Sequence, residues 1–376
     1  MQDYKVCTSC VMDTTDPLIS FDDQGICHYC NELAVKYNAG KNLSVSQIEN
    51  DLKNAATLIK KRQGGGKFDC VLGLSGGVDS SYVAHLVVEK MGLSPLIVHF
   101  DNGWNSAISE QNIKNIVKCL RLDITTCKLN WDEFKDLQKA FLSASVMDIE
   151  MITDNIIYGA AVQIAKQHKI KCIVSGVNFA TESGLPSAWR WEKIDAKNIR
   201  AIHRRFGKRS ISSLPLYGCW QLLFDRFFNG IYHFYPLNLI RYNKTEAMLF
   251  LKKRFDWNYY GGKHYESIFT KFYQAYILPT KFGIDKRRAH LSSLLRNQEI
   301  TREAALAECD KPAYDLLTLE QDKDYIANKL GFSRDEFQAI MDLPPKHHHH
   351  YPSEVRFITN LTKLSRFMKI KQNAFA

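Results

Sequence analysis

The sequence predicts an α/β protein: a parallel sheet flanked by helices, preceded by a small cysteine-built module and followed by a mainly helical region. Three observations predict it. From residue 68 onward, short apolar runs alternate with stretches at helical spacing, the pattern of a parallel sheet covered on both faces. A glycine-rich turn, Ser75-Gly76-Gly77-Val78-Asp79-Ser80-Ser81, joins the first of these runs to the helix after it. Two Cys-x-x-Cys pairs stand near the start of the chain, and no other such pair follows.

The elements follow in chain order. Residues 1–40 are rich in turn formers (Thr14, Asp16-Pro17, Asp22-Asp23, Gly25) and have little to build a core from. Residues 44–62 place Val45, Ile48, Leu52, Ala55, Leu58 and Ile59 at helical spacing, and Gly64-Gly65-Gly66 stops that helix. Strands are expected at 69–74, 96–100, 124–129 and 171–175, with helices at 80–90, 106–120, 131–144 and 151–168. A ligand of such a sheet sits beyond the carboxyl ends of its strands. Residues 190–240 read as irregular, basic and aromatic, with 232–239 as one more strand. Helices are then expected at 301–309, 322–330, 334–341 and 354–370. The chain divides into a metal-binding module (1–40), the sheet domain (41–240) and a helical region completing the substrate site (241–376). The histidine run 347–350 reads as a solvated loop rather than a metal patch.

Hydrophobic residues at 45% and charged residues at 24% are ordinary for a globular chain. No apolar stretch reaches the ~18 residues of a membrane helix, and no secretory signal is visible. A cytoplasmic address is expected. Ten cysteines then argue for thiols or metal ligands rather than disulfides. The net charge of +10 is uneven: 20 Lys and Arg stand against 6 Asp and Glu between Lys193 and Arg296. That surplus favours an anionic partner such as a nucleotide sugar, a nucleic acid or an acidic membrane surface.

The loop at 75–81 carries the chemistry. Paired glycines let backbone N–H groups approach a phosphate, and a helix N-terminus adds partial positive charge. Ser75, Ser80 and Ser81 offer hydroxyls, and Asp79 can cap the helix or hold Mg²⁺. No lysine follows the glycines, so this is not a Walker loop. Cys7, Cys10, Cys27 and Cys30 form two knuckles sixteen residues apart. That spacing fits a closed tetrahedral Cys₄ zinc site, structural rather than catalytic, with an iron–sulfur cluster or redox dithiols as alternatives.

The Ser-Gly-Gly-x-Asp-Ser segment resembles, without departure, the signature of the PP-loop ATP pyrophosphatases. Members of that superfamily adenylate an oxygen and release pyrophosphate, so ATP with Mg²⁺ is expected. The resemblance implies adenine contacts where residues 98–103 end the second strand, including Asp101. It implies AMP contacts at Val174-Ser175-Gly176-Val177-Asn178, including the backbone of Gly176.

Three function classes are compatible. A tRNA thiolase would need a further Cys-x-x-Cys or a persulfide cysteine, whereas Cys70, Cys119, Cys127, Cys172, Cys219 and Cys309 are isolated. A fused N-terminal-nucleophile glutaminase would need cysteine at position 2, which is Gln2. A nucleic-acid module without catalysis leaves the loop unexplained.

Nearly the whole chain is similar to the N-acetyl sugar amidotransferases of bacterial surface-polysaccharide (O-antigen) synthesis. The similarity runs from the opening C-x-x-C-V-M-D-T-T-D-P through Ser-Gly-Gly-Val-Asp-Ser-Ser and Ala180-Thr181-Glu182-Ser183-Gly184 to Tyr259-Tyr260-Gly261-Gly262-Lys263-His264-Tyr265-Glu266-Ser267. It continues in Phe282-Gly283-Ile284-Asp285-Lys286-Arg287-Arg288, Ile300-Thr301-Arg302-Glu303-Ala304-Ala305 and Leu343-Pro344-Pro345-Lys346. It implies an enzyme that adenylylates the N-acetyl carbonyl oxygen of a nucleotide sugar and lets ammonia displace AMP, leaving an acetamidino group. A separate glutaminase and a cyclase-like partner would supply the ammonia, and nucleic acid is not expected as a partner. Lys263, Lys286 and Arg287 are then candidates for stabilising pyrophosphate and the adenylylated intermediate. Glu182 and Glu266 are candidate contacts to substrate or ammonia. Arg190, Arg204 and Arg205 are candidates for bidentate contacts to the substrate's anionic groups. The competing reading is a PP-loop tRNA-modifying enzyme, a thiolase or lysidine-synthetase-like protein.

Overall fold

The structure is a computed structural model that describes residues 3–41, 43–262, 265–355 and 357. Five strands, β1 (Cys70–Gly73), β2 (Pro95–Asp101), β3 (Ile124–Lys128), β4 (Cys172–Val174) and β5 (Tyr232–Phe234), form one sheet. Their order is β3-β2-β1-β4-β5, and every neighbouring pair is parallel. Each expected apolar run supplies a strand. The fifth stops at Phe234, short of the expected 239, because Pro236 opens a 3₁₀ turn over Pro236–Leu239.

Helices precede, link and follow the strands. α1 (His28–Lys41) and α2 (Val45–Gln63) come first, and α3 (Val78–His85) continues as a wider turn over Leu86–Lys90. α4 (Ala107–Leu120), α5 (Trp131–Ala144) and α6 (Met151–Gln167) follow β2 and β3. After β4 come the short α7 (Phe179–Glu182), then α8 (Ala196–Phe206) and α9 (Cys219–Phe227). α10 (Lys244–Phe255), α11 (Ile268–Phe272), α12 (Leu278–Phe282), α13 (Lys286–Arg296), α14 (Arg302–Asp310), α15 (Leu316–Leu330) and α16 (Arg334–Asp342) make the carboxyl-terminal part.

Successive strand residues serve opposite faces. Leu72, Ile97, Val174 and Phe234 pack with Ile59 of α2, Val83 of α3, Ile116 of α4 and Leu251 of α10. Val71, Leu96, Val98 and Ile173 pack with Ala161, Ile164 and Ala165 of α6. The sheet is thus doubly covered, and its core runs past residue 240 into α10. A separate core joins Phe134 and Phe141 of α5 to Phe272, Tyr273, Ile326 and Phe337, and includes the four clustered cysteines.

The structure departs from expectation elsewhere as well. α1 was not anticipated, and residues 190–240 are not irregular throughout, since they hold α8 and α9. In α8 the basic residues flank a buried stripe of Ile199, Ile202 and His203, which the charge masked. The helix expected from 322 begins at Leu316, where the Asp315 side chain accepts the Leu317 N–H. The histidine run is solvent-exposed at His347, His349 and His350, as expected, but anchored at its second residue. His348 is buried, stacks on Trp191 with centroids 4.9 Å apart, meets Asn198 Oδ1 at 2.9 Å through Nδ1, and accepts the Asp148 N–H at 3.3 Å through Nε2. Most of the helix expected at 354–370 lies outside the described residues. Among the described residues, no helix is long and apolar enough to cross a membrane.

Candidate functional site

The sheet reverses its winding at β1. From there the chain reaches β2 on one side and β4 on the other, so a crevice opens at the carboxyl ends of β1 and β4. The 75–81 loop leaves β1 at that point. Gly76 has φ +78°, and a Cβ there would stand 2.3 Å from the Ser109 carbonyl oxygen, so only glycine fits. The Ser75 N–H donates to Ser80 Oγ at 3.3 Å, and the Gly77 N–H donates to Ser75 Oγ at 3.2 Å. Ser80 Oγ donates to the Gly77 carbonyl at 3.2 Å. Gly77 is the N-cap of α3 and supplies no side chain to the first-turn amides. Gly176, just beyond β4, packs on the same turn, for a Cβ there would lie 3.0 Å from the Ser80 nitrogen.

The carboxyl-terminal part closes over this loop. Trp257 Nε1 donates to the Gly76 carbonyl at 2.9 Å. Asn258 and Asn112 pair reciprocally, each bond 2.8 Å. The Val78 N–H donates to Tyr260 Oη at 3.3 Å, and Tyr242 Oη donates to Asp79 Oδ1 at 2.5 Å. Burial, reinforced by the Asp79 charge, pushes the Tyr242 phenol well above its usual pKa, so it remains a neutral donor. Glu266 Oε1 lies 3.2 Å from the position a Gly77 Cβ would take, and its backbone carbonyl accepts the Ser106 N–H at 2.8 Å.

Ser75, Gly76, Gly77, Asp79, Ser80, Gly176 and Glu266 are therefore brought together. Asp101 ends β2, one strand over, where its carboxylate accepts the Gly103 N–H at 2.9 Å. Glu182 ends α7, six residues past Gly176, and is half-buried. Other candidates are placed elsewhere. Ser81 is fully buried, its hydroxyl sealed from solvent, and so does not face phosphate. Arg287 is committed to Asp285 at 2.7–3.0 Å and to the Glu308, Cys309 and Lys311 carbonyls at 3.0–3.2 Å, where it fastens the end of α14. Lys286 stands over the Tyr273 ring at 5.5 Å, and its charge acts on Asp148 and Glu150. Burial would raise the Asp148 carboxyl, but Lys193, at 2.9 Å, and Lys286 outweigh it and bring it down to about 2. Arg204 and Arg205 are exposed on α8, which packs on α5, and Arg190 is exposed beyond the 3₁₀ turn Ser187–Trp189. Lys263 lies outside the described residues. Sequence reasoning assigned no role to Tyr242, Trp257, Asn112 or Tyr260, although Tyr260 belongs to a motif it singled out.

The four cysteines are buried, with their sulfurs all within 4.8 Å of one another and Cys10 Sγ 3.7 Å from Cys27 Sγ. Four thiolates at about 2.3 Å from a tetrahedral ion stand about 3.8 Å apart, so the donor set fits a metal. The amides of Cys10 and Cys27 point at Cys7 Sγ from 3.3 and 3.2 Å. Arginines fasten the module to the rest of the chain. Arg302 donates to the Cys7 and Cys10 carbonyls at 2.8 and 3.2 Å, and Arg288 pairs with Asp13 at 2.9 Å. Arg296 reaches Cys30 Sγ at 3.7 Å.

Comparison with known proteins agrees with this layout. The family described as LPS biosynthesis protein WbpG-like, C-terminal domain, matches residues 266–365. The thiamine biosynthesis protein (ThiI) family matches residues 65–183, which include the loop. An uncharacterized protein of Methanocaldococcus jannaschii is 31% identical over 135 residues, which are 35% of this chain and 46% of that protein. The chain thus spans about half the length of that curated relative. Among solved structures, an NMN synthetase from Francisella tularensis matches 57% of this chain and 94% of its own at 14% identity and TM-score 0.29. An NAD⁺ synthetase from Burkholderia pseudomallei matches 60% and 96% at 17% identity and TM-score 0.30. Loop, sheet topology and the two family matches together relate the chain to the PP-loop proteins and, over residues 266–365, to the WbpG-like proteins.

Proposed function

We propose that the protein is an ATP-dependent amidotransferase that converts an acetamido group of a nucleotide sugar into an acetamidino group, with release of AMP and pyrophosphate. The observation that carries this reading is Glu266. It is the first residue matched by the WbpG-like domain, and its carboxylate lies over Gly77 of the phosphate loop. The segment matched by the WbpG-like domain therefore contributes a carboxylate at the phosphate loop, which supports an acceptor site beside the ATP site.

An amide carbonyl is a poor electrophile, and its oxygen is a poor leaving group. Attack of that oxygen on the α-phosphorus of ATP expels pyrophosphate and gives an O-adenylyl imidate. Ammonia then adds to the imidate carbon. Expulsion of AMP takes the former carbonyl oxygen away, and an amidine remains. The loop amides and the Ser75 and Ser80 hydroxyls would hold the departing pyrophosphate, stabilising the charge that develops there. Asp79, aimed by Tyr242, and Glu266 are the carboxylates that would hold Mg²⁺. The cysteine module would hold zinc in a closed shell that braces the fold, leaving no open position for catalysis. Ammonia would come from a separate glutaminase and a cyclase-like partner.

Sulfur transfer, the chemistry of a thiolase, is less well supported. Burial pushes the Cys172 thiol up to about 12 and Cys219 to about 11, and Cys70 is raised well above its usual value. None of these is a ready thiolate.

The test is product analysis with ATP, Mg²⁺, ammonium and N-acetylated nucleotide sugars, resolving AMP from ADP and weighing the sugar. AMP with a sugar that has exchanged oxygen for nitrogen is the expected outcome. AMP with no sugar conversion would redirect the search to other acceptors, including tRNA. ADP in place of AMP would overturn the pyrophosphatase reading.

A further inference from the structure

One amide of the phosphate loop already has a partner. Val78 opens α3, and its N–H donates to Tyr260 Oη at 3.3 Å. The same hydroxyl lies 3.2 Å from the position a Cβ on Gly77 would take. An N–H at the start of a helix, just after paired glycines, is where a phosphate oxygen binds. Tyr260 Oη therefore stands where such an oxygen belongs.

The phenol is held there by its own segment. Two residues before it, Asn258 pairs both ways with Asn112 at 2.8 Å, and Trp257 Nε1 bonds the Gly76 carbonyl at 2.9 Å. The Trp257 and Tyr260 rings meet edge to face at 5.7 Å. Directly after it comes Gly261 with φ +95°, a conformation that costs a side-chain-bearing residue. Burial, then the Glu266 charge, pushes the phenol well above its usual pKa, so the oxygen meets the amide as a neutral acceptor.

We propose that Tyr260 is a placeholder in the phosphate loop: its hydroxyl oxygen occupies the Val78 amide when the loop is empty and yields it to a pyrophosphate oxygen. This rests on the reading of the loop as a pyrophosphate site. Each binding event then exchanges one hydrogen bond for another. Pyrophosphate is held less tightly than the loop alone would hold it, and the product departs more readily.

The experiment is calorimetric titration of the full chain with inorganic pyrophosphate and Mg²⁺. It compares the wild type with Tyr260→Phe, which keeps the ring packed on Trp257, and with Tyr259→Phe, the exposed neighbour. Thermal melting checks that both variants are folded. The expected result is about fivefold tighter binding in Tyr260→Phe, the worth of one net hydrogen bond, and no change in Tyr259→Phe. Weaker binding in Tyr260→Phe would make Tyr260 a pyrophosphate ligand and overturn the proposal, as would equal binding. A gain shared by both variants would mean general loosening of the segment and would also overturn it. Absence of pyrophosphate binding in all three proteins would instead remove the pyrophosphate reading of the loop, and the placeholder with it.

Discussion

Asp79 and Tyr242 divide one task. The carboxylate sits in the first turn of α3, and the buried phenol donates to one of its oxygens. Asp79→Asn keeps an acceptor for the phenol but loses the charge. AMP and pyrophosphate formation should then fall to background while the melting temperature stays near that of the wild type. Normal turnover in that variant would remove Asp79 from the site. Tyr242→Phe should keep turnover but require more Mg²⁺. A hydrogen bond to a charged group is worth ~1.5–3 kcal/mol, so the Mg²⁺ midpoint should rise roughly tenfold or more. An unchanged Mg²⁺ titration would show that the phenol does not position the carboxylate. Asp79 was legible in the sequence because its loop is one continuous segment. Tyr242 was not, because it stands 163 positions away and only folding brings it near.

At the scale of elements, the cysteine module and the helices beneath it explain where part of the basic surplus goes. The cysteine spacing was legible because each knuckle is local and four thiols leave few other arrangements. From the charge count alone, the surplus at 193–296 favours an anionic partner, since a count cannot distinguish a free cation from a neutralised one. In the structure Arg287 is held by Asp285, Arg288 by Asp13, and Arg296 lies against Cys30. Arg302 joins them by capping two carbonyls of the first knuckle. Arg302→Met retains most of the aliphatic packing and loses those two bonds. It should destabilise the protein by ~1–3 kcal/mol and speed metal loss to a chelator, followed by a colorimetric zinc indicator. Cys7→Ser removes a ligand and should release the metal outright, with a larger fall in melting temperature. Identical chelation kinetics in wild type and Arg302→Met would show that the module holds its metal without help from α14.

At the scale of the whole molecule, the division at residue 240 does not coincide with a division in the core. The central strands β1, β2 and β4 were legible as apolar runs because a strand inside a parallel sheet is buried on both faces, whereas the edge strand β3 is half-exposed. What lay across the loop was not legible, because α10 and the segment after it carry no periodic signal linking them to β1. Tyr242, Ala247, Leu251, Phe255 and Trp257 are all at most 4% exposed and share one apolar core with Leu72, Ile97 and Val174. Fully burying a large apolar side chain contributes roughly 1.5–3 kcal/mol. Losing these together would therefore remove about as much as the 5–15 kcal/mol by which a typical domain is stable. It would also strip Trp257 from the Gly76 carbonyl, which holds the turn of the loop. A fragment of residues 41–240 should therefore lack a cooperative thermal transition and bind no pyrophosphate, whereas the full chain should show both. A fragment that melts cooperatively and binds pyrophosphate like the full chain would mean that the loop is built by the sheet alone. The carboxyl-terminal part would then serve only the acceptor, and Tyr242 and Tyr260 would lose the roles given to them.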